Sequence, residues 1–394
     1  MMNAYGISTK EKHFGSYLIA IGTVALFAGS GAALGIADNY MFFLLAIIVN
    51  IFEGLIHKRS KIHINTINIF LILVSFLTLF FMILGKYDRG SALSILMYAA
   101  LLLSVDFDNY NSNDAIVIIS GVIISAIIFS LLIILDGHEY LYKGTAKITY
   151  TQSFGSKITF EPNYLGTIIS MGFCLSISLI VECSNEKKKM LIYILAAIVT
   201  LVGVMLTGSR SALVSIIIFG LMLVAIMKRG KTKKRIVSII ILLFLLVILL
   251  IVFGIIPETI YQRMLVSSYA DRSNMKRISD WSYGLKAILR EPILGNGPQL
   301  TLNIILAQFN FHGDVHNTFL TFGVMFGIVP FMLFIIWIVK SATNLYRDKQ
   351  RLLFATLVAM IFEWNILACQ FTISMWLMLI ICLTYKNDQV VNKN

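Results

Sequence analysis

Twelve apolar runs, each close to the length of a bilayer crossing, leave this chain little choice of architecture. They fall at 16–37, 40–56, 64–84, 91–105, 114–135, 164–181, 190–207, 211–227, 236–256, 316–339, 352–367 and 369–385. A crossing takes about 20 mostly apolar residues, and 58% of the 394 residues are hydrophobic, which covers twelve. Only 13% are charged, about half the usual share of roughly 25%. A water-soluble fold would have no shell for such a core. The sequence therefore predicts an all-α polytopic membrane protein of about 12 transmembrane helices, one integral membrane domain over 1–394 without repeats, low-complexity tracts or a separate soluble domain.

Charge then orients the spans. The excess of Lys and Arg gives a net charge of +12, and in a membrane protein that excess serves orientation before it implies nucleic acid, so no nucleic-acid partner is expected. With both termini in the cytoplasm, the inner segments hold 20 of the 32 basic residues, among them Lys58, Arg59, Lys61, Lys187 to Lys189 and Lys228 to Arg235. Nine of the remaining twelve lie in two long outer loops, where the positive-inside rule has little force, leaving Lys86, Arg89 and Arg210 in short ones. Lys10 and Lys12 before the first run give it the look of a signal peptide, but the charge count requires it as an uncleaved first span. The four cysteines show no CxxC and no zinc spacing, and read as buried free thiols.

Two outer segments are long enough to do chemistry. In the first outer loop, 136–163, polar and apolar residues alternate through Lys147 to Tyr150 and Lys157 to Phe160, as in a small hairpin. In the large outer (periplasmic) loop, 257–315, between spans nine and ten, Ile278, Trp281, Leu285, Ile288 and Leu289 follow helical spacing. Asp271 or Ser273 would cap that helix and the Gly295-Asn296-Gly297-Pro298 turn would follow it. The expectation is an amphipathic helix lying at the outer membrane face.

Three cationic features stand out. Arg210 sits in the link Thr207-Gly208-Ser209-Arg210-Ser211 between two spans; alone it reads as a helix-end anchor, yet the small and hydroxyl neighbours leave room for a phosphate to reach the guanidinium and the next helix's amides. Arg272, Lys276 and Arg277 open the amphipathic helix. They read either as a solvated charged face or, with Arg277 four residues from Trp281, as the second half of a bidentate diphosphate clamp. His316, at the outer start of the tenth span in His312-Gly313-Asp314-Val315-His316-Asn317, is by itself more often structural. It is also the imidazole best placed to accept a sugar hydroxyl proton at neutral pH. Asp314 would orient it, and Glu161 before Pro162-Asn163 is a rival carboxylate.

In order and spacing these pieces resemble the O-antigen ligase and polymerase superfamily of bacterial surface-polysaccharide enzymes. The likeness rests on Glu161-Pro162-Asn163, Thr207-Gly208-Ser209-Arg210, Arg277-x-x-x-Trp281, Glu291 to Gly297, and His316-Asn317 with Gly323 and Gly327, and spans about 160–330. The resemblance implies a C-type glycosyltransferase-like fold acting on undecaprenyl-diphosphate-linked sugars at the outer face of the bacterial inner membrane, with no cofactor and no metal. It assigns catalytic roles to Arg210, Arg277 and His316. Around them Arg272, Lys276, Trp281, Glu161, Asn163, Asp314 and Asn317 are expected to hold diphosphate or sugar. Partners so implied are the lipid-linked oligosaccharide, membrane lipid, a chain-length regulator and a flippase. A Wzy-type polymerase is the first reading and a ligase acting on lipid A-core the second. A flippase or transporter is the third, disfavoured because its inverted repeats and paired interrupted helices are missing from the pattern.

Overall fold

A computed structural model describes residues 13–28, 38–56, 66–107, 110–135, 148–151, 157–160, 162–183, 186–227, 230–254, 256, 258, 260, 267–298, 315–369 and 372–385. Its elements are α1 (Phe14–Val24), α2 (Asp38–Ile56), α3 (Thr66–Ile83), α4 (Arg89–Ser104), α5 (Ser112–Leu135), β1 (Ile148–Thr151), β2 (Lys157–Phe160), α6 (Pro162–Glu182), α7 (Lys187–Thr207) and α8 (Arg210–Ile226). The second half continues with α9 (Lys231–Val252), α10 (Ser267–Arg290), α11 (Thr318–Phe326), α12 (Ile328–Arg347), α13 (Arg351–Trp364) and α14 (Ile373–Thr384). Every apolar run of the sequence carries a helix. Five helices, α3, α5, α6, α7 and α12, are long and apolar enough to cross a membrane, and further apolar helices are shorter. Helices dominate because a bilayer offers backbone groups no water, so each peptide must be paired within its own segment.

The hairpin forms as the alternation predicts: β1 and β2 are antiparallel, with Ile148 opposite Phe160 and Thr151 opposite Lys157. The tenth apolar run differs from expectation. It is broken at Gly327 into α11 and α12, where φ is +81° and a Cβ would overlap the carbonyls of Pro292 and Ile293. The 291–298 turn fills the break: Ile328 N–H donates to Pro292 O (2.8 Å), while Asn296 and Gly297 N–H donate to Val324 and Met325 O (2.9 Å each). Carbonyls that a continuous helix would have used are thus satisfied from the turn.

Small residues set the helix spacing. α5, α6 and α7 form the tightest group, with Gly172 against Ala126 and Gly203 against Ser130. Between apolar helices in lipid, close backbone approach replaces the hydrophobic driving force. An aromatic group of Phe70, Phe322, Phe334 and Trp337 joins α3, α11 and α12, with ring centroids 4.6 to 6.1 Å apart.

Polar contacts between helix ends fall into two sets. In one, His13 N–H and Nδ1 meet the Asp114 carboxylate at 2.8 and 3.0 Å, Phe14 N–H donates to Glu53 (2.9 Å) and Tyr110 to Asn50 (2.8 Å). Tyr385 lies 3.4 Å from Glu182 in the same manner. In the other, Asp88 N–H donates to Pro298 O (2.9 Å), Tyr40 meets Ser94 (2.7 Å), Ser209 meets Asn163 (3.3 Å), and Thr318 donates to Leu367 O (2.7 Å).

The glycine contacts give a direct stability test. Gly203→Ala, whose Cβ would overlap Ser130, is expected to lower stability by about 1–3 kcal/mol through overpacking. Gly220→Ala, with its nearest contact at 3.7 Å, is expected to be neutral or slightly stabilising through helix propensity. Thermal unfolding of both variants in one detergent measures the difference.

Candidate active site

Arg210 is the first residue of α8, reached from α7 by only Gly208 and Ser209. Gly208 closes α7 in the left-handed region (φ +63°), with its N–H on Met205 O at 3.1 Å, a conformation that costs glycine nothing. The hydroxyls of this link have local work. Thr207 donates to Val204 O (2.7 Å) and accepts from Ser209 N–H (3.2 Å), and Ser209, the N-cap of α8, bonds to Asn163 and contacts Ser211 at 3.1 Å. All three hydroxyl residues are buried. Arg210, half-exposed, is the group of this link left facing outward.

α10 begins at Ser267, so Asp271 and Ser273 lie within it and do not cap it. Its described side chains sort into three sectors. Arg277, Asp280, Trp281, Gly284, Ala287 and Ile288 face inward; a Cβ on Gly284 would press on Val315, Ile288 lies against Gly323, and Trp281 joins Ala287, Ile288, Val315 and Val324 in one small cluster. Ile278 (58% exposed), Leu285 (51%) and Leu289 (78%) form a separate outward stripe. Lys276, Lys286 and Arg290 are exposed on the remaining side. The apolar face read as one surface from the sequence is thus two: Trp281 and Ile288 pack against α11, while Ile278, Leu285 and Leu289 stay uncovered.

The groups named from the sequence come together here. Arg277 is half-buried; burial and then the charge of Arg210 lower its pKa, with Asp280 opposing. Like charges act on each other this way only over short distances, so the two guanidinium groups lie near enough to feel each other's charge. The His316 imidazole is pushed down to about 4, first by burial and then by Arg277 and Lys276. At neutral pH it is therefore uncharged and has a lone pair to offer. Its backbone sits in the left-handed region at φ +49°, uncommon for a residue with a Cβ and found where surroundings over-determine the conformation. Those surroundings are visible: Val315 is wedged against Gly284, and Asn317 caps α11 by accepting from Leu320 N–H (3.0 Å) while donating to Asn365 O (3.0 Å). Asn317 thus acts as a clamp on both sides of its amide.

Asn163 reaches the site by its bond with Ser209, next to Arg210. Glu161 and Asp314 lie outside the described residues, as does the side chain of Arg272.

Asp280 is a residue the sequence reading passed over as a site group. It is 0% exposed, and neither carboxylate oxygen has a hydrogen-bond partner among the described residues. Burial raises its pKa to about 6 against the pull of Lys276 and Arg277. The available signal was its spacing, three and four residues beyond Arg277 and Lys276, on the face that carries Trp281. Two cations, a buried carboxyl, an uncharged imidazole and a third cation from another helix make a setting suited to an anionic ligand whose charge changes during reaction. Among the described residues no cluster of three His, Cys, Asp or Glu side chains gathers.

Residues 195–335, from α7 into α12, match the family model described as O-antigen ligase, in line with the O-antigen ligase and polymerase superfamily. That stretch contains Arg210, Lys276, Arg277, Asp280 and His316. No curated protein matches the chain.

The three sectors of α10 predict where probes will lie. Spin labels at Leu285 and Leu289 in nanodiscs are expected to be reached by oxygen and shielded from a water-soluble nickel complex, with the reverse at Lys286. Equal access at all three positions would reject an interfacial helix. A second test concerns acid. The folded pKa of His316, about 4, lies below the ordinary 6.5, so the unfolded chain binds more protons between these values and stability is lost as pH falls through that window. Asp280 is raised to about 6 from 3.8, so its contribution is lost as pH rises through 3.8 to 6. Between pH 4 and 6 the two oppose. Asp280→Asn, fixed in the neutral form, is expected to lose more stability than wild type as pH falls from 6 to 4, and His316→Gln less, in melting curves across that range.

Proposed function

We propose that this protein is a surface-polysaccharide polymerase that transfers an undecaprenyl-diphosphate-linked glycan to a sugar hydroxyl of a second lipid-linked repeat unit. The observation that carries the reading is the meeting of Arg210, Lys276, Arg277 and His316 from three separate segments, within the stretch that matches the O-antigen ligase family. Members of that family are glycosyltransferase-like enzymes, ligases or polymerases.

In this reading the chain crosses the inner membrane twelve times with both termini cytoplasmic. The contact sets support that topology. One set unites helix ends that the basic residues assign to the inside, the other unites ends assigned to the outside, and the Arg210 link belongs with the outer set. The active site then opens on the periplasmic face, beneath the large outer loop, where a flippase would deliver donor and a chain-length regulator would act.

The chemistry follows from the groups present. Arg210 and Arg277 hold the donor diphosphate, with Lys276, and offset the charge that grows on it as the bond from the anomeric carbon to the phosphate oxygen breaks. Guanidinium groups supply that stabilisation without a metal. The electron pair leaves with the diphosphate, the acceptor hydroxyl oxygen forms the new bond to the anomeric carbon from the opposite face, and its proton passes to His316. Inversion at that carbon results. In the free site the cations weaken His316 as a base; bound diphosphate offsets their field, so the base strengthens when donor is in place.

A ligase is the second reading, favoured by the description of the matching family. Incubating purified protein with lipid-diphosphate-linked repeat units, with and without lipid A-core, separates the two. A ladder of products without core is the expected result; one adduct formed only on core assigns a ligase; no new glycosidic bond under either condition rejects both. Arg210→Gln and Arg277→Gln are expected to lower product formation at least about 10²-fold, the cost of removing one charge-stabilising donor. Full activity in either variant would reject the clamp.

A further inference from the structure

Glu363, one residue from the end of α13, carries a fully buried carboxyl that none of the chemistry above uses. α13 packs against both α6 and α8. Ser170 of α6 places its hydroxyl 3.0 Å from one oxygen of Glu363, and the hydroxyls of Thr167 on α6 and Ser215 on α8 lie nearby. Each hydroxyl has one proton to give. Thr167 gives its proton to Asn163 O (3.1 Å) and Ser215 to Ala212 O (2.8 Å), while Ser170 is shared between Thr167 O (3.0 Å) and the carboxyl. The other oxygen of Glu363 has no donor, and no ion pair reaches the residue among the described side chains.

An ionised carboxylate accepts and never donates, and without a cation or several donors it is costly in a membrane bundle. This surrounding offers it one shared proton and two lone pairs. A carboxylic acid fits where the anion does not, since it brings no charge that one shared proton would have to balance. The network also leads somewhere. Thr167 bonds to the Asn163 carbonyl, the Asn163 side chain bonds to Ser209, and Ser209 immediately precedes Arg210. Gly166 keeps α6 close to α8 at the same level, with Cβ space filled by Ser209 and Ala212 at 3.0 Å.

We propose that Glu363 is held as an uncharged carboxylic acid that fastens α6, α8 and α13 together, and that it is a positioning residue for the Arg210 turn. The positioning role rests on reading Arg210 as a donor-binding group; the state of the carboxyl does not.

The two parts have separate readouts. Infrared spectra of the protein in nanodiscs at pH 8, wild type minus Glu363→Gln, are expected to contain the carbonyl stretch of a protonated acid; a carboxylate band in its place overturns the proposal. In the polymerisation assay Glu363→Gln, neutral and of the same shape, is expected to retain wild-type turnover. Glu363→Ala, which leaves the hydroxyls without their shared partner, is expected to lose roughly tenfold, the equivalent of about 1.4 kcal/mol, with the loss expressed in donor KM. Loss in Glu363→Gln equal to that in Glu363→Ala would show that the negative charge is needed and would sink the idea. If wild type itself forms no product, the functional reading fails, while the infrared result still decides the state of Glu363.

Discussion

The close approach of α10 to α11 is the contact on which the rest of the site depends. Gly284 allows Val315 to lie directly on the helix, and Gly323 admits Ile288 one step further along. The segment between Val315 and Asn317 passes through the left-handed conformation at His316. Arg277 and Lys276 of α10 act electrostatically on that imidazole. A larger residue at position 284 would press on Val315 and so disturb the approach of α10 to the segment that carries His316.

The broken helix serves this seam. An uninterrupted helix over 318–347 would carry its own hydrogen bonds and leave the 291–298 turn unattached. Breaking it at Gly327 frees the Val324 and Met325 carbonyls, which the turn takes up, and the other end of the turn accepts from Asp88 at the start of α4. The 291–298 turn is thereby fastened to helices distant in sequence. Backbone groups near the membrane must find partners, and here the partnering also orients α10. Asn317 adds a third fastening, to the turn after α13.

Electrostatically, the site is poised in the absence of ligand. Arg210 and Arg277 repel, His316 is kept uncharged first by burial and then by the nearby cations, and Asp280 is a buried carboxyl without a hydrogen-bond donor among the described residues. An anion placed among the cations would relieve their mutual repulsion, whereas it would favour the protonated form of Asp280. Much of the binding energy of such a ligand would come from relieving arrangements the fold imposes beforehand, which is how a preorganised site differs from a flexible basic patch.

Hydropathy, sign of charge and turn residues are local properties, so the sequence alone determined the positions of the helices, the hairpin at 148–160, and Arg210, Arg277 and His316 as the groups to watch. Periodicity could not say that the apolar residues of α10 serve two faces, because Trp281 and Leu285 carry the same spacing whether they meet α11 or lipid. Nor could it give the helix start at 267, the break at Gly327, or the hydroxyls of the Arg210 link turning inward. Asp280 and Glu363 stayed hidden for a related reason: a lone carboxylate in a helix gains meaning only from what surrounds it. Those matters were decided by tertiary contacts between segments far apart in the chain, where the free energy of a side chain depends on burial and on partners that its own neighbours in sequence do not specify.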